Sequence, residues 1–337
     1  MRGTYSIALD LGTANTAIYM PGKGIVLREP SMIAEHSETG AIEAVGLKAQ
    51  KLMERTPDNI DPIRPIQDGV VVDHDRASAM LHYFFRKTWR KAGLFALSKW
   101  RKPNVVVSVP TGVTAVERRA IQEVVEQAGA HHVHMIEEAL AAALGAGLPV
   151  WEPVGNMIVS IGGGSLGAAV VSYGGIVSRA SIRVAGDEMD EAIIQYVQHT
   201  HNLQIGKQTA ESLKMELGYA LHPDKPETKE IQGRDIVTDL PKIVRISSEE
   251  IYEALSFIVD DLIEVVKMTL SKTPPELVSD LIDAGIVLTG GGVLLRQMNE
   301  SVRQKINIPV HIADQPLDCV VLGAGKALDY PRLFSTA

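Results

Sequence analysis

The sequence predicts an α/β protein built from two similar domains that face one another, and three glycine turns predict it. The first is Ile7-Ala-Leu-Asp-Leu-Gly-Thr-Ala-Asn-Thr-Ala-Ile18, an apolar strand to Asp10, then a turn freed by Gly12 with small polar groups at Thr13, Asn15 and Thr16. The second, residues 158–177, repeats the layout of residues 7–26: apolar strand, glycine turn, apolar strand, then Gly-Ile-Val (Gly24-Ile25-Val26 and Gly175-Ile176-Val177). Laid together, Asp10 faces Ser160, Gly12 faces Gly162 and Thr13 faces Gly163, a duplication that implies two like domains. The third turn, Leu288-Thr-Gly-Gly-Gly-Val293, follows a strand from Gly285 to Leu288. Turns of this kind wrap a terminal phosphate in backbone N–H groups and hydroxyls, and glycine lets a backbone approach a flat ligand. Asp10 sits where a hydrated magnesium ion needs an oxygen ligand. Together the three turns point to a bound nucleotide.

Composition sets the frame. A chain of 337 residues supports two domains, each with its own core. A hydrophobic content of 45% with 22% charged is ordinary for soluble globular protein. The net charge of −8 argues against a general nucleic-acid binder. The one cysteine, Cys319, excludes an internal disulfide and fits a reducing cytosol; within Cys319-Val-Val-Leu-Gly it reads as a buried structural thiol. Met1 to Ile7 is too short for a signal peptide, and no apolar run is long enough to span a bilayer. Any membrane contact is expected to be peripheral.

In chain order, residues 33–63 hold polar turns and read as a small inserted subdomain. Asp75 is expected to cap a helix with Ala77, Met80, Leu81, Phe84 and Phe85 on its core face. From Arg86 to Lys102 seven basic residues and no acidic one interleave with Trp89, Leu94, Phe95, Leu97 and Trp100. That mixture suits an anionic membrane surface, with Leu94, Phe95 and Trp100 as the contacting side chains; the alternative is a solvated loop whose aromatics fold back. Asn104 to Pro110 is a buried strand. Thr114 and Glu117 form a capping box for a helix through Ala128, closed by Gly129. His131, His132 and His134 lack further ligand-spaced partners and read as surface histidines rather than a metal site. Glu137 to Gly147 is a small-residue helix at an inter-domain hinge.

The second domain repeats the scheme. Met189, Ala192, Ile193, Tyr196 and Val197 mark an amphipathic helix, and Thr209 to Gly218 a short one with Glu211 and Lys214 on one face, read by spacing alone as a surface ion pair. Residues 228–247 read as short antiparallel strands of a small subdomain. Ser247 and Glu250 cap a long helix bearing Ile251, Leu255, Ile258, Leu262 and Val265. The second domain is expected to begin near residue 148, with small subdomains at about 33–63 and 183–246.

Several motifs carry a resemblance over nearly the whole chain: Asp10-Leu-Gly-Thr-Ala-Asn-Thr, Gly22 to Pro30, Ile63-Arg-Pro-Ile-Gln-Asp-Gly-Val70, Gly186-Asp-Glu-Met-Asp-Glu-Ala-Ile193 and Leu288-Thr-Gly-Gly-Gly292. In these the chain resembles MreB, the bacterial actin-like rod-shape family within the actin, sugar kinase and heat-shock chaperone ATPase superfamily. The resemblance implies an actin-like fold of duplicated ribonuclease H-like domains with a nucleotide cleft between them. It implies ATP or ADP with Mg2+: Asp10 supports magnesium, and Gly12, Thr13, Ala14, Asn15 and Thr16 hold the β- and γ-phosphates. Gly162, Gly163 and Gly164 form the opposing loop, with Gly186 nearby. Glu211 and Lys214 lie at the ribose and adenine, Gly290, Gly291 and Gly292 at the adenosine, and Glu138 orients the attacking water. Val320 to Leu328 resembles the last connecting helix, which in this family returns to the first domain, so the resemblance implies domains at residues 1–147 plus 318–337 and at 148–317. The resemblance further implies double, antiparallel filaments on the inner face of the cell membrane that organise cell-wall synthesis. The partners it implies are other copies of the chain, MreB paralogues, MreC, MreD, RodZ and anionic lipid.

The departures from that pattern are chemical. Ser160 stands where family members carry a metal-side aspartate, Ser165-Leu166-Gly167 where they carry Thr-Thr-Glu, and Ala139 where they carry proline. Removing one positioned transition-state group typically costs on the order of 10²–10³ in rate, so the sequence predicts ATP binding with slow or absent hydrolysis. Three other readings stay open: a small-molecule (sugar) kinase, against which Ser160 and Gly167 argue; a chaperone, which would need a further substrate domain; and a non-hydrolysing paralogue that copolymerises with an active one.

Overall fold

The structure, a computed structural model, describes residues 6–53, 59–91 and 102–334. The first domain begins with β1 (Ser6–Leu11), β2 (Asn15–Met20) and β3 (Gly24–Pro30), a meander. A side sheet follows from β4 (Ile33–His36), β5 (Ile42–Val45) and β6 (Ile60–Ile63), with α1 (Leu47–Met53) beside it. The hairpin β7 (Ile66–Gln67) and β8 (Val70–Val71) leads into α2 (His74–Lys91). Then come β9 (Asn104–Val109), α3 (Ala115–Gln127), β10 (His132–Glu137) and α4 (Glu138–Gly145).

The second domain opens with β11 (Asn156–Ile161), β12 (Leu166–Ser172) and β13 (Gly175–Ile182), then α5 (Gly186–His201). A smaller part holds β14 (Leu203–Gln204), α6 (Lys207–Leu217), β15 (Thr228–Asp235) and β16 (Pro241–Ser247). The chain continues through α7 (Ser248–Ser271), α8 (Pro275–Ala284), β17 (Ile286–Thr289), α9 (Met298–Ile306) and β18 (Val310–Ile312), and α10 (Cys319–Ala327) returns to the first domain.

The two main sheets are the same sheet built twice. One runs β3-β2-β1-β9-β10 and the other β13-β12-β11-β17-β18. In each, the meander is antiparallel and the last two strands join in parallel. Even the bulges correspond, between Ile18 and Tyr19 and between Val170 and Val171. The first turns close alike: Gly12 N–H donates to Asn15 O at 3.1 Å, and Gly162 N–H to Ser165 O at 2.9 Å.

Unbroken apolar runs form the central strands because both faces are covered. Ile7 and Leu9 enter the first domain's core beside Phe84 and Phe85, whereas Ala8 faces a third apolar cluster between the domains. That cluster contains α4, α10 and residues of both sheets, so the domains share a buried seam. The crossing of α4 and α10 depends on two glycines. A Cβ on Gly145 would lie 1.8 Å from Cys319 O, and one on Gly323 would lie 1.7 Å from Ala141 O.

Two local expectations change. The first turn of α2 is held by Asp73, whose Oδ1 accepts the Arg76 N–H at 3.0 Å, while Asp75 lies inside the helix. Trp89 is buried against Phe85, because α2 runs through it with that face turned to the core. The membrane residues Leu94, Phe95 and Trp100 lie outside the described residues. The Thr114–Glu117 and Ser247–Glu250 capping boxes form as the sequence predicts.

Candidate functional site

A cavity of about 480 Å³ opens between the two glycine turns. Asp10, near the end of β1, Glu138, at the start of α4, and Ser160, near the end of β11, all line it. Ser108 Oγ donates to Asp10 Oδ1 at 2.8 Å, and Ser160 Oγ donates to Glu138 Oε1 at 2.7 Å. Burial pushes the Asp10 carboxyl up to about 6, with the Ser108 hydrogen bond and Arg28 pulling it back. Burial, reinforced by the negative charge of Asp10, pushes Glu138 up to about 7.

The turns approach one another closely. A Cβ on Gly163 would sit 2.9 Å from the Ala14 Cβ, and one on Gly164 would sit 2.8 Å from Asp68 Cα and from Thr13 Oγ1. Gly186 N–H donates to Gly162 O and Asp187 N–H to Gly163 O, so the first turn of α5 braces the second glycine turn. The third turn carries a correction to the physics. Gly290 and Gly292 are glycine for packing, since a Cβ on either would meet Ile161 at 2.3 Å. At Gly291 a Cβ would meet only Leu317 Cδ2, at 3.5 Å, so this is the position open to a ligand.

Of the residues singled out in the sequence, Asp10, Gly12, Thr13, Ala14, Asn15, Glu138, Gly162, Gly163, Gly164, Gly186, Glu211, Lys214, Gly290, Gly291 and Gly292 all line this cavity. Thr16 does not: it is fully buried on β2 with Oγ1 2.8 Å from Ser31 Oγ, and Ser31 in turn donates to Gly12 O. It supports the turn from behind, because alternation along the strand points it away. Lys214 pairs with Asp190 at 2.7 Å and donates to Gly186 O at 2.9 Å rather than pairing with Glu211. Leu166 is buried in the second domain's core and lines a smaller neighbouring cavity that also reaches Glu138.

Sequence reasoning missed the β7–β8 hairpin. Asp68 and Gly69 have φ of 49° and 76°, the left-handed pair that an Asp-Gly hairpin turn requires. Gly69 N–H donates to Thr13 Oγ1 at 2.9 Å, so this hairpin locks the first turn. The Asp-Gly pair flanked by apolar residues was the available signal. Arg64, beside the hairpin, reaches Asp187 of the other domain at 3.1 Å.

The donor set suits magnesium. Among the described residues no group of three or more His, Cys, Asp or Glu could hold a metal alone. Asp10 offers a single carboxylate, which fits a small cation that keeps its water and takes its remaining ligands from phosphate.

The model of the MreB/Mbl protein family matches residues 4–336. The chain belongs to the MreB/Mbl family. It is 42% identical to the cell shape-determining protein Mbl of Bacillus subtilis over 96% of this chain and 95% of that protein. It is 43% identical to the cell shape-determining protein MreB of Escherichia coli K12 over 97% and 95%. Among solved structures, MreB5 of Spiroplasma citri bound to ADP superposes with a TM-score of 0.90 at 36% identity, covering 98% of this chain and 97% of that one. The AMPPNP-bound form gives 0.91 at 35%, covering 98% of each. This MreB/Mbl member therefore has the actin-like fold, with its cavity between two copies of one domain.

Proposed function

We propose that this chain is an actin-like cytoskeletal protein that binds ATP or ADP with Mg2+ between its domains and polymerises head to tail into filaments that shape the cell. The observation that carries the reading is the pair of facing glycine turns, Gly12–Asn15 and Gly162–Ser165, closed over a cavity that Asp10 and Glu138 line. Nucleotide-bound MreB5 and the cell-shape proteins of Bacillus and Escherichia support it. Heterologous stacking without rotational closure gives open filaments. Membrane attachment through the segment around Leu94, Phe95 and Trp100, organisation of wall synthesis, and partnership with paralogues, MreC, MreD and RodZ belong to the same proposal, as does a location at the inner face of the membrane. Among the described residues no helix is long and apolar enough to cross a bilayer.

In this reading the backbone N–H groups of both turns hold the phosphates, and Asp10 holds magnesium, which would offset phosphate charge. Glu138 orients the attacking water. Hydrolysis is slow because Ser160 supplies a hydroxyl where a carboxylate would help hold the water shell, and it spends that hydroxyl on Glu138 Oε1. Electron microscopy of the protein with magnesium ATP, with and without anionic vesicles, tests the reading: filaments that require nucleotide and gather on the vesicles are expected. No filaments in the presence of demonstrated ATP binding would overturn the polymer.

A further inference from the structure

The segment Gly186-Asp-Glu-Met-Asp-Glu contains a charged group that the proposed chemistry does not use. Asp190, one turn into α5, is 3% exposed yet lines the cavity. Its Oδ1 lies 2.7 Å from Lys214 Nζ. A buried ion pair of this kind adds little to stability, because desolvating both ions offsets their attraction. Stability alone therefore does not account for it.

The donors and acceptors suggest what does. An ammonium carries three donors. In Lys214 one goes to Gly186 O at 2.9 Å while the ammonium as a whole is ion-paired with Asp190, leaving at least one donor for an acceptor in the cavity. Glu211, three residues earlier on α6 and so on the same helix face, lines the same cavity, and an ionised carboxylate only accepts. A donor beside an acceptor matches a vicinal diol, whose hydroxyls do both. A lysine stem is flexible, so reading a diol requires the ammonium to be held. Gly186 N–H also donates to Gly162 O at 3.3 Å, which ties the Lys214 position to the second glycine turn.

We propose that Asp190 is a positioning residue that fixes the Lys214 ammonium relative to Glu211 and the Gly162 turn, and so makes the site select a ribose over a deoxyribose nucleotide. The assignment rests on the nucleotide reading above. Calorimetry of the full chain in magnesium buffer with ATP, 2′-deoxy-ATP and 3′-deoxy-ATP tests it. The wild type is expected to prefer ATP by about tenfold over at least one deoxy analogue, the worth of one charge-assisted hydrogen bond. Asp190→Asn keeps the shape and an acceptor; it is expected to retain triphosphate binding while the preference falls to within about twofold. Lys214→Met should lose the same preference, and the double variant should lose no more than Lys214→Met alone.

A purely structural Asp190 would instead weaken all three nucleotides by one common factor, and that result overturns the assignment. Should Asp190→Asn fail to fold, an unchanged preference in Lys214→Met overturns it equally. A wild type that binds none of the three removes the nucleotide reading and this assignment together. A wild type that binds all three equally removes only this one.

Discussion

Glu138 carries a cost that the fold bears for the sake of the site. Its carboxyl is raised from 4.5 to about 7 by burial and by Asp10, so the unfolded chain ionises before the folded one. The folded state then binds more protons between those two values, and stability falls as pH rises through that window. The stability present below pH 4.5 is lost by pH 7 and above. Glu138→Gln removes the titration while keeping an acceptor for Ser160. In nucleotide-free protein at pH 8 it is expected to be the more stable chain by on the order of 3 kcal/mol, with the advantage gone near pH 4.5. Thermal melts of both chains across pH 4–8 check this; a constant difference would rule it out. The neighbouring departure makes a second prediction. Ser160→Asp with Leu166→Thr should raise phosphate release by roughly 10²-fold over a slow wild type, read by single-turnover phosphate assay, and no rise would mean that neither position limits hydrolysis. At this scale the sequence revealed Asp10 and the glycines because turn chemistry is local. It hid the partner of Lys214, since spacing along α6 suggests Glu211 whereas Asp190 arrives from another helix.

At the scale of elements, what could be read was whatever a few consecutive residues decide. Thr114 and Glu117 close on each other three residues apart, at 2.8 Å from Thr114 N to Glu117 Oε2, so their capping box was visible in the string. Thr114→Ala is expected to cost about 1 kcal/mol, measured by urea denaturation with an unchanged slope. The cap of α2 was misread by two residues, because Asp73 and Asp75 offer the same chemistry and only the backbone path selects between them. The α4–α10 crossing could not be read at all: Gly145 and Gly323 look like ordinary small residues until the two helices are laid across each other. Gly323→Val pushes a branched side chain into the Ala141 carbonyl, which cannot yield, and is expected to cost more than about 3 kcal/mol. The same substitution at Gly22, whose Cβ would meet nothing within 4 Å, adds only the strain of its φ of 75° and should cost less. Equal losses at the two sites would show that the crossing is not tight.

Across the whole molecule, duplication was legible because it leaves two similar strings, whereas the way the halves touch leaves none. Arg64–Asp187, Arg179–Glu137 and Arg183–Glu117 bridge the domains at part-exposed positions. Pairs of that kind contribute roughly 0–1 kcal/mol each, so they guide closure without locking it. The buried α4–α10 seam is the firm connection, and the cavity borders only its edge, at Glu138 and Val320, while its mouth lies between turns that meet edge to edge. A ligand bridging those turns should therefore stiffen the mouth and leave the seam unaltered. Hydrogen exchange with and without magnesium ATP is expected to slow the amides of residues 12–15, 69 and 162–165 by at least about tenfold. The amides of α4 and α10 should be equally protected in both states. If ATP instead changes exchange along α4 and α10 while the glycine turns stay as they were, the domains do not pivot about that seam. The polymer would then need another source for its nucleotide dependence.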